Sequence, residues 1–301
     1  MRSGRRSDRP LNAPTAALCP TRRGRAASVR TQATTAVLLL VLTGVAVVFL
    51  MPIFWMVSTS LKSNQHVFDL PIQWIPRQPL WSNYPAAYAT VHFTRYFVNS
   101  AIVTGSVTLL NVLLSALAGY GLAKYRFLGR HVLLMLILAT LMLPLEVVMV
   151  PLYLTVQRLG WFNSYQGMIV PVAANALGVL VMRQYFLSLP DDLVSAARID
   201  GAGHVGTFLR IGVPLAWPAL LTVAILIFQS TWDDFVWPFL IISDPLKATV
   251  PLAVQTFQSA ETSNFPMLMA VSSIASVPLT VLFFVFQRQI IGGVATTGMR
   301  H

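Results

Sequence analysis

Few side chains in this 301-residue chain can do chemistry, and their spacing excludes more than it allows. His66, His92, His131, His204 and His301 are widely dispersed, and no H-E-x-x-H sets two imidazoles on one helix face for zinc. His204 reads as a solvated surface residue. Cys19 is the single cysteine, so an internal disulfide and a cysteine metal cage are both excluded. None of the three lysines, Lys62, Lys124 and Lys247, follows a glycine, so no G-x-x-x-x-G-K loop exists to cradle nucleotide phosphates. No catalytic residue, cofactor or metal is therefore expected. Two places keep polar chemistry open. Glu146 lies in an apolar run between Pro144 and Pro151. An acid there either lines a solute pathway or sits near the outer interface, at the start of a helix broken by Pro144. Trp232, Asp233, Asp234 and Trp237 combine carboxylate acceptors with flat apolar rings, which suits the mixed polarity of a sugar. The same tryptophans at the end of a span would equally serve as interface anchors.

The elements that must position these groups are apolar spans. Charged residues make up 10% of the chain and hydrophobic ones 55%, whereas a soluble domain carries about 25% charged residues. A bilayer core of roughly 30 Å needs about 20 mostly apolar residues. Windows of that kind lie near 35–57, 97–121, 132–155, 165–187, 213–232 and 268–287. Lipid offers no partner to an unpaired amide, so this predicts an all-α polytopic membrane protein of six transmembrane helices. Of the 21 Lys and Arg, sixteen fall on one side of these spans and five on the other. The basic side faces the cytoplasm, which places both termini inside.

The net charge of +11 thus reads as topology and not as nucleic-acid binding. Residues 1–34 form an arginine-rich cytoplasmic arm, expected to be disordered. Residues 35–290 are the transmembrane domain, and 291–301 a glycine-containing cytoplasmic tail. Pro71, Pro76, Pro79 and Pro85 mark an irregular outer loop between the first two spans.

One cytoplasmic loop, residues 188–214, has a readable mechanical logic. Pro190 ends the preceding span, and Asp191-Asp192 starts a short helix. Ala196 and Ala197 give that helix a smooth face for another protein. Asp200-Gly201 permits a sharp turn, because glycine accepts positive φ cheaply. Val205, Phe208, Leu209, Ile211 and Gly212 supply an apolar stripe on a second short helix. Pro214 and Pro218 redirect the chain into the fifth span. Two short helices at an angle below the membrane make a knob able to carry rigid-body motion.

Within this loop Ala196, Ala197, Asp200, Gly201, Ala202, Phe208, Ile211 and Pro214 fall in the register of an E-A-A-x-x-D-G-A pattern followed by Phe and I-x-x-P. The loop resembles the EAA loop by which permease subunits of bacterial ABC importers grip their ATPase. Ser195 stands where that pattern has Glu, so a salt bridge to the ATPase gives way to packing. Further segments are similar to the carbohydrate-importing permeases, in particular the six-span permease of the maltose system. They are Leu61-Lys62-Ser63, Asn83-Tyr84, Asn99-Ser100, the stretch from Ala118 to Phe127, and Pro144 to Tyr153. Trp232-Asp233-Asp234-Phe235 stands where that family usually shows W-N-x-F.

The resemblance implies a type I ABC importer permease fold in a bacterial plasma membrane. It also implies a second permease subunit, two ABC ATPase subunits and an extracytoplasmic substrate-binding protein. ATP hydrolysis would fall to the partner ATPase. Ser195, Ala196, Ala197, Asp200, Gly201, Ala202, Phe208 and Pro214 would couple to it. Glu146, Trp232, Asp233, Asp234 and Trp237 are the candidates for the pathway, although substrate contacts could come chiefly from the partner subunit. Two other readings stay open: a permease for a non-sugar solute, and a stand-alone channel or membrane-embedded enzyme using Glu146 or the Asp233-Asp234 pair.

Overall fold

A computed structural model describes residues 22–90, 93–199, 201–260 and 264–298, and every described element is helical. The chain divides into two units, residues 1–55 and 56–301. The first is the body of α1 (Arg22–Ser60). Its residues 34–54 are exposed, and an apolar helix without a polar stripe is one whose solvent is lipid. The helix begins at Arg22, so the arginine-rich arm is helical in its last part. Residues 1–21 lie outside the described residues.

The second unit starts with the last turn of α1. The Asn83 amide donates to the carbonyls of Ser60 at 2.8 Å and Lys62 at 2.9 Å, and Tyr84 Oη lies 2.8 Å from Ser60 Oγ. The loop expected to be irregular therefore closes on itself. It ends in a helix, α2 (Asn83–Thr90), which packs against the last helix of the chain. Pro85 falls in the first turn of α2, where an amide has no intrahelical partner to lose.

α3 (Phe93–Lys124) is the hub of this unit. It buries Asn99, Ser100, Thr104, Asn111 and Ser115, and such groups must find partners inside the protein. Asn99 donates to the Leu246 and Ala248 carbonyls, both at 2.9 Å, and accepts from Tyr165 Oη at 2.6 Å. The Val250 amide donates to Ser100 Oγ at 2.8 Å. The Asn99-Ser100 pair thus fastens α3 to the segment that opens the helix Val250–Ala260.

Prolines and caps set the remaining path. α4 (Arg130–Leu141) and α5 (Leu145–Arg158) meet at 102° across Pro144, which lacks an amide and pushes Leu143 out of helix. α6 (Tyr165–Ile169), extended by a 3₁₀ turn at Val170–Val172, meets α7 (Ala176–Ser188) at 44°. Asn175 caps α7 by accepting from the Leu177 amide at 2.8 Å. After α8 (Asp191–Ile199) come α9 (His204–Thr207), a π-helical turn at Phe208–Gly212, and α10 (Val213–Leu215). This run meets α11 (Trp217–Trp232) at 75°. α12 (Val236–Ile241), α13 (Val250–Ala260) and α14 (Phe265–Gly298) complete the chain.

Among the described residues three spans are unbroken and three are bent pairs, six if each pair counts as one. The span at 132–155, expected to be interrupted at Pro144, is two helices nearly at right angles. The straight part of the fifth span begins at Trp217, because residues 213–215 belong to the helical run on the other side of the 75° bend. The glycines of the tail do not end the last helix, which continues to Gly298.

Candidate coupling site

The knob between α7 and α11 is built by one turn. Gly201 has φ +80°, the left-handed region. The Ala202 amide reaches back to the Ala197 carbonyl at 2.9 Å, the wrap-around bond of a Schellman ending. This gives the A-x-x-x-G-A spacing its physical meaning: Ala197 supplies the carbonyl, Gly201 the reversed φ, and Ala202 the amide. The first turn of α8 holds Asp191 and Asp192, whose charge suits a helix N-terminus. Asp200 lies outside the described residues.

The faces differ from the sequence reading. Ala197 is buried at 6% exposure, so it packs within the chain and does not form an outward docking face. Nothing is described for the Ala196 side chain. The apolar stripe on the second helix splits in two. Phe208 turns inward, its ring 5.0 Å from that of Tyr120, and Gly212 lies against the same tyrosine. Val205 and Leu209 turn outward, as do Leu193 and Ile199 of α8, which the sequence reading had passed over. Ser195 and Pro214 are exposed and Ala202 half-buried.

The membrane side of the knob rests on the end of α3. Tyr120 also meets Phe186 edge-on at 5.1 Å. Lys124 Nζ donates to the Leu189 carbonyl at 2.7 Å and to Asp191 Oδ1 at 2.6 Å. That hydrogen bond and the lysine's charge hold the Asp191 carboxyl below the usual carboxylate range, so Asp191 stays ionised at neutral pH. His204 is exposed but not merely solvated: its Nδ1 lies 3.0 Å from Tyr125 Oη, with the rings 5.1 Å apart. Tyr185 Oη donates to the Leu215 carbonyl at 2.9 Å and ties α7 to α10.

The pathway candidates separate. Trp232 is buried, stacks on Phe228 at 5.8 Å and donates its indole N–H to the Ala275 carbonyl at 3.2 Å. Trp237 is buried and donates to the Gly167 carbonyl at 3.1 Å. Both rings are committed to packing within the chain, which removes them as solute-facing surfaces. Replacing Trp237 by Phe should leave the Gly167 carbonyl unpaired and lower stability by about 1–2 kcal/mol. A drop in the unfolding temperature of the detergent-solubilised protein would register it, and an unchanged temperature would deny the indole its anchoring role. Asp234 is half-buried and accepts from the Trp237 amide at 3.3 Å, while Asp233 is exposed at the end of α11. Glu146 is exposed in the first turn of α5, where its charge complements the helix dipole. No group of three or more His, Cys, Asp or Glu converges among the described residues.

Residues 111–295, from the middle of α3 through the knob and into α14, match the family of binding-protein-dependent transport system inner membrane components. The chain belongs to this family. It is a membrane-embedded permease with the type I ABC importer fold, and its role is transport. The arabinooligosaccharides transport system permease protein AraQ of Bacillus subtilis is 33% identical over 259 residues, covering 85% of this permease and 92% of AraQ. The trehalose/maltose transport system permease protein MalG of Thermococcus litoralis is 31% identical over 261 residues, covering 85% and 93%. Among solved structures, a chain of a bacterial ABC transporter involved in import of the acidic polysaccharide alginate superposes with a TM-score of 0.77. It is 24% identical, and the match covers 86% of this permease and 97% of that chain, which bears on fold alone.

Proposed function

We propose that this permease moves a carbohydrate inward across the bacterial plasma membrane, driven by ATP hydrolysis on separate subunits. The observation that carries the coupling role is the knob itself. Its inner face is fixed to α3 and its outer face presents Leu193, Ile199, Val205 and Leu209 to whatever lies below the membrane. Exposed apolar groups clustered on a protruding element mark a docking surface. Ser195 on the same element offers no charge, so the ATPase is gripped by packing around the Gly201 turn. Ala202 and Pro214 shape that surface, Ala197 and Phe208 support it from within, and Ala196 and Asp200 complete the proposed coupling set.

Sugar as the solute class is supported by the named transport systems of AraQ and MalG. The assembly comprises this permease, a second and different permease subunit, two ATPase subunits and an extracytoplasmic binding protein. Both termini and the knob face the cytoplasm, in keeping with the distribution of basic residues. Glu146, Asp233 and Asp234 remain the polar candidates for the pathway. Closure of the ATPase pair displaces the knobs of the two permeases and switches access from one side of the membrane to the other.

The test is co-purification of the tagged permease from native membranes in mild detergent, with bound chains identified by mass spectrometry. An ABC ATPase and a second permease are expected, and the accompanying binding protein narrows the sugar. A clean preparation lacking an ATPase, with the partner genes expressed, would overturn the reading in favour of a channel or membrane-embedded enzyme.

A further inference from the structure

Lys124 is the last residue of α3, and its side chain is only 4% exposed. Its ammonium bridges two sides of a break in the chain. Leu189, whose carbonyl it holds, ends α7 in extended backbone (φ −76°, ψ 134°), and Asp191, whose carboxylate it holds, opens α8. The Leu189-Pro190-Asp191 junction is where the knob could swing relative to the membrane helices, because no helical hydrogen bond runs through it. One cation belonging to a third helix spans that junction.

The asymmetry of burial makes this bridge more than a surface ion pair. Asp191 is 86% exposed and would be well solvated alone, and exposed pairs contribute little. The lysine is the buried partner, so its charge depends on both acceptors, and losing the pair is costly on its side. The neighbouring contacts of α3 are of another kind. One turn earlier Tyr120 meets Phe186 and Phe208 through ring faces. The polar contact of Tyr125 Oη with His204 Nδ1, at 3.0 Å, reaches the knob beyond the junction and does not span it. Aromatic faces tolerate sliding, whereas an ammonium with two fixed oxygens sets register.

We propose that Lys124 is a positioning residue that latches α3 to the α7–α8 junction, so that the knob and α3 move as one rigid body during transport. This rests on the coupling role proposed above and names the helix that receives the motion.

The experiment measures the distance between spin labels at Val98 and Asp192 in the assembled transporter, on a Cys19→Ser background. Val98 is exposed near the outer end of α3 and Asp192 is exposed on α8. Helical rise places Val98 about 40 Å along the axis from Lys124, within range of pulsed dipolar spectroscopy. With Lys124 intact, one narrow distance is expected, the same within about 2 Å without nucleotide and after ATP–vanadate trapping, as one-body motion requires. Lys124→Gln should at least double the width of the distribution or let the two states diverge, and Lys124→Arg should restore the narrow peak. A merely structural role would instead lower the yield of assembled transporter and leave the distance of the remainder unchanged.

Lys124→Gln matching the intact latch, or a distance that shifts between states with Lys124 present, would overturn the proposal. Should Lys124→Gln fail to assemble, Asp191→Asn decides. It keeps the Leu189 carbonyl and alters only an exposed carboxylate, so intermediate broadening is expected and an unchanged peak refutes the latch. The nucleotide-free distances report on the latch even if no ATPase is bound, so failure of the latch and failure of the coupling reading are separable.

Discussion

Gly201→Val is expected to abolish retention of the ATPase while leaving the permease inserted in the membrane. An added Cβ at Gly201 meets nothing within 4 Å, so steric overlap is not the cause. The cause is backbone: φ +80° costs an L-residue roughly 1–2 kcal/mol, and a β-branched residue there is a genuine outlier. Valine escapes by abandoning the left-handed conformation, and the bond from the Ala202 amide to the Ala197 carbonyl goes with it. α8 and the His204–Leu215 run then lose their fixed angle, and Leu193 and Ile199 no longer form one surface with Val205 and Leu209. The turn is exposed and an added side chain there meets no packed neighbour, so global unfolding should not follow. A graded series isolates this cause. Asn tolerates the left-handed region and should retain most of the ATPase, Ala an intermediate share, and Val less than a tenth of wild type by quantitative co-purification. Equal retention across the three would remove the Schellman ending from the coupling mechanism.

How much of this was legible in the sequence depends on where each residue's partner lies. The spans were legible because bilayer thickness fixes a length that a run of apolar residues either meets or does not. Gly201 was legible because a reversed φ is a local property with a strong residue preference. The bends were half legible: Pro144 and Pro218 gave positions, but not the 102° and 75° that neighbouring helices impose. Trp232 and Trp237 stayed open between pathway and interface anchor because nothing local separates an inward ring from an outward one at a helix end. Their partners, the Ala275 and Gly167 carbonyls, are 43 and 70 residues away. Ala197 looked like a docking residue for the same reason, since smallness serves a buried turn as well as an outer face. The structural roles of Lys124 and Asn99 were not legible at all. Their acceptors include backbone carbonyls, which every residue has, so the pairing leaves no mark on side-chain composition.

The second large effect is expected at Gly178, where α7 crosses α3. A Cβ built there overlaps Ser115 Oγ and lies 2.8 Å from Asn111 Oδ1 and 3.3 Å from Ser115 Cβ. Both α3 side chains are fully buried, and Ser115 donates to Asn111 Oδ1 at 3.1 Å, so neither has solvent to swing into. In a bilayer, lipid tails are as apolar as the helices, and close backbone approach through small residues holds such pairs together. Gly178→Ala should therefore cost about 1–3 kcal/mol by overpacking, and Gly178→Leu should leave no folded protein. Compensation distinguishes this cause from a general loss of helix quality. Alanine is the better helix former, so on propensity alone Gly178→Ala would stabilise α7 by roughly 1 kcal/mol. If overlap with α3 dominates, adding Ser115→Ala to Gly178→Ala removes the colliding oxygen and recovers part of the lost unfolding temperature. The two substitutions are then non-additive by at least about 0.5 kcal/mol. The recovery should be incomplete, because Asn111 Oδ1 loses its serine donor in the same step. Additive losses in the double variant would mean that α7 does not approach α3 through Gly178.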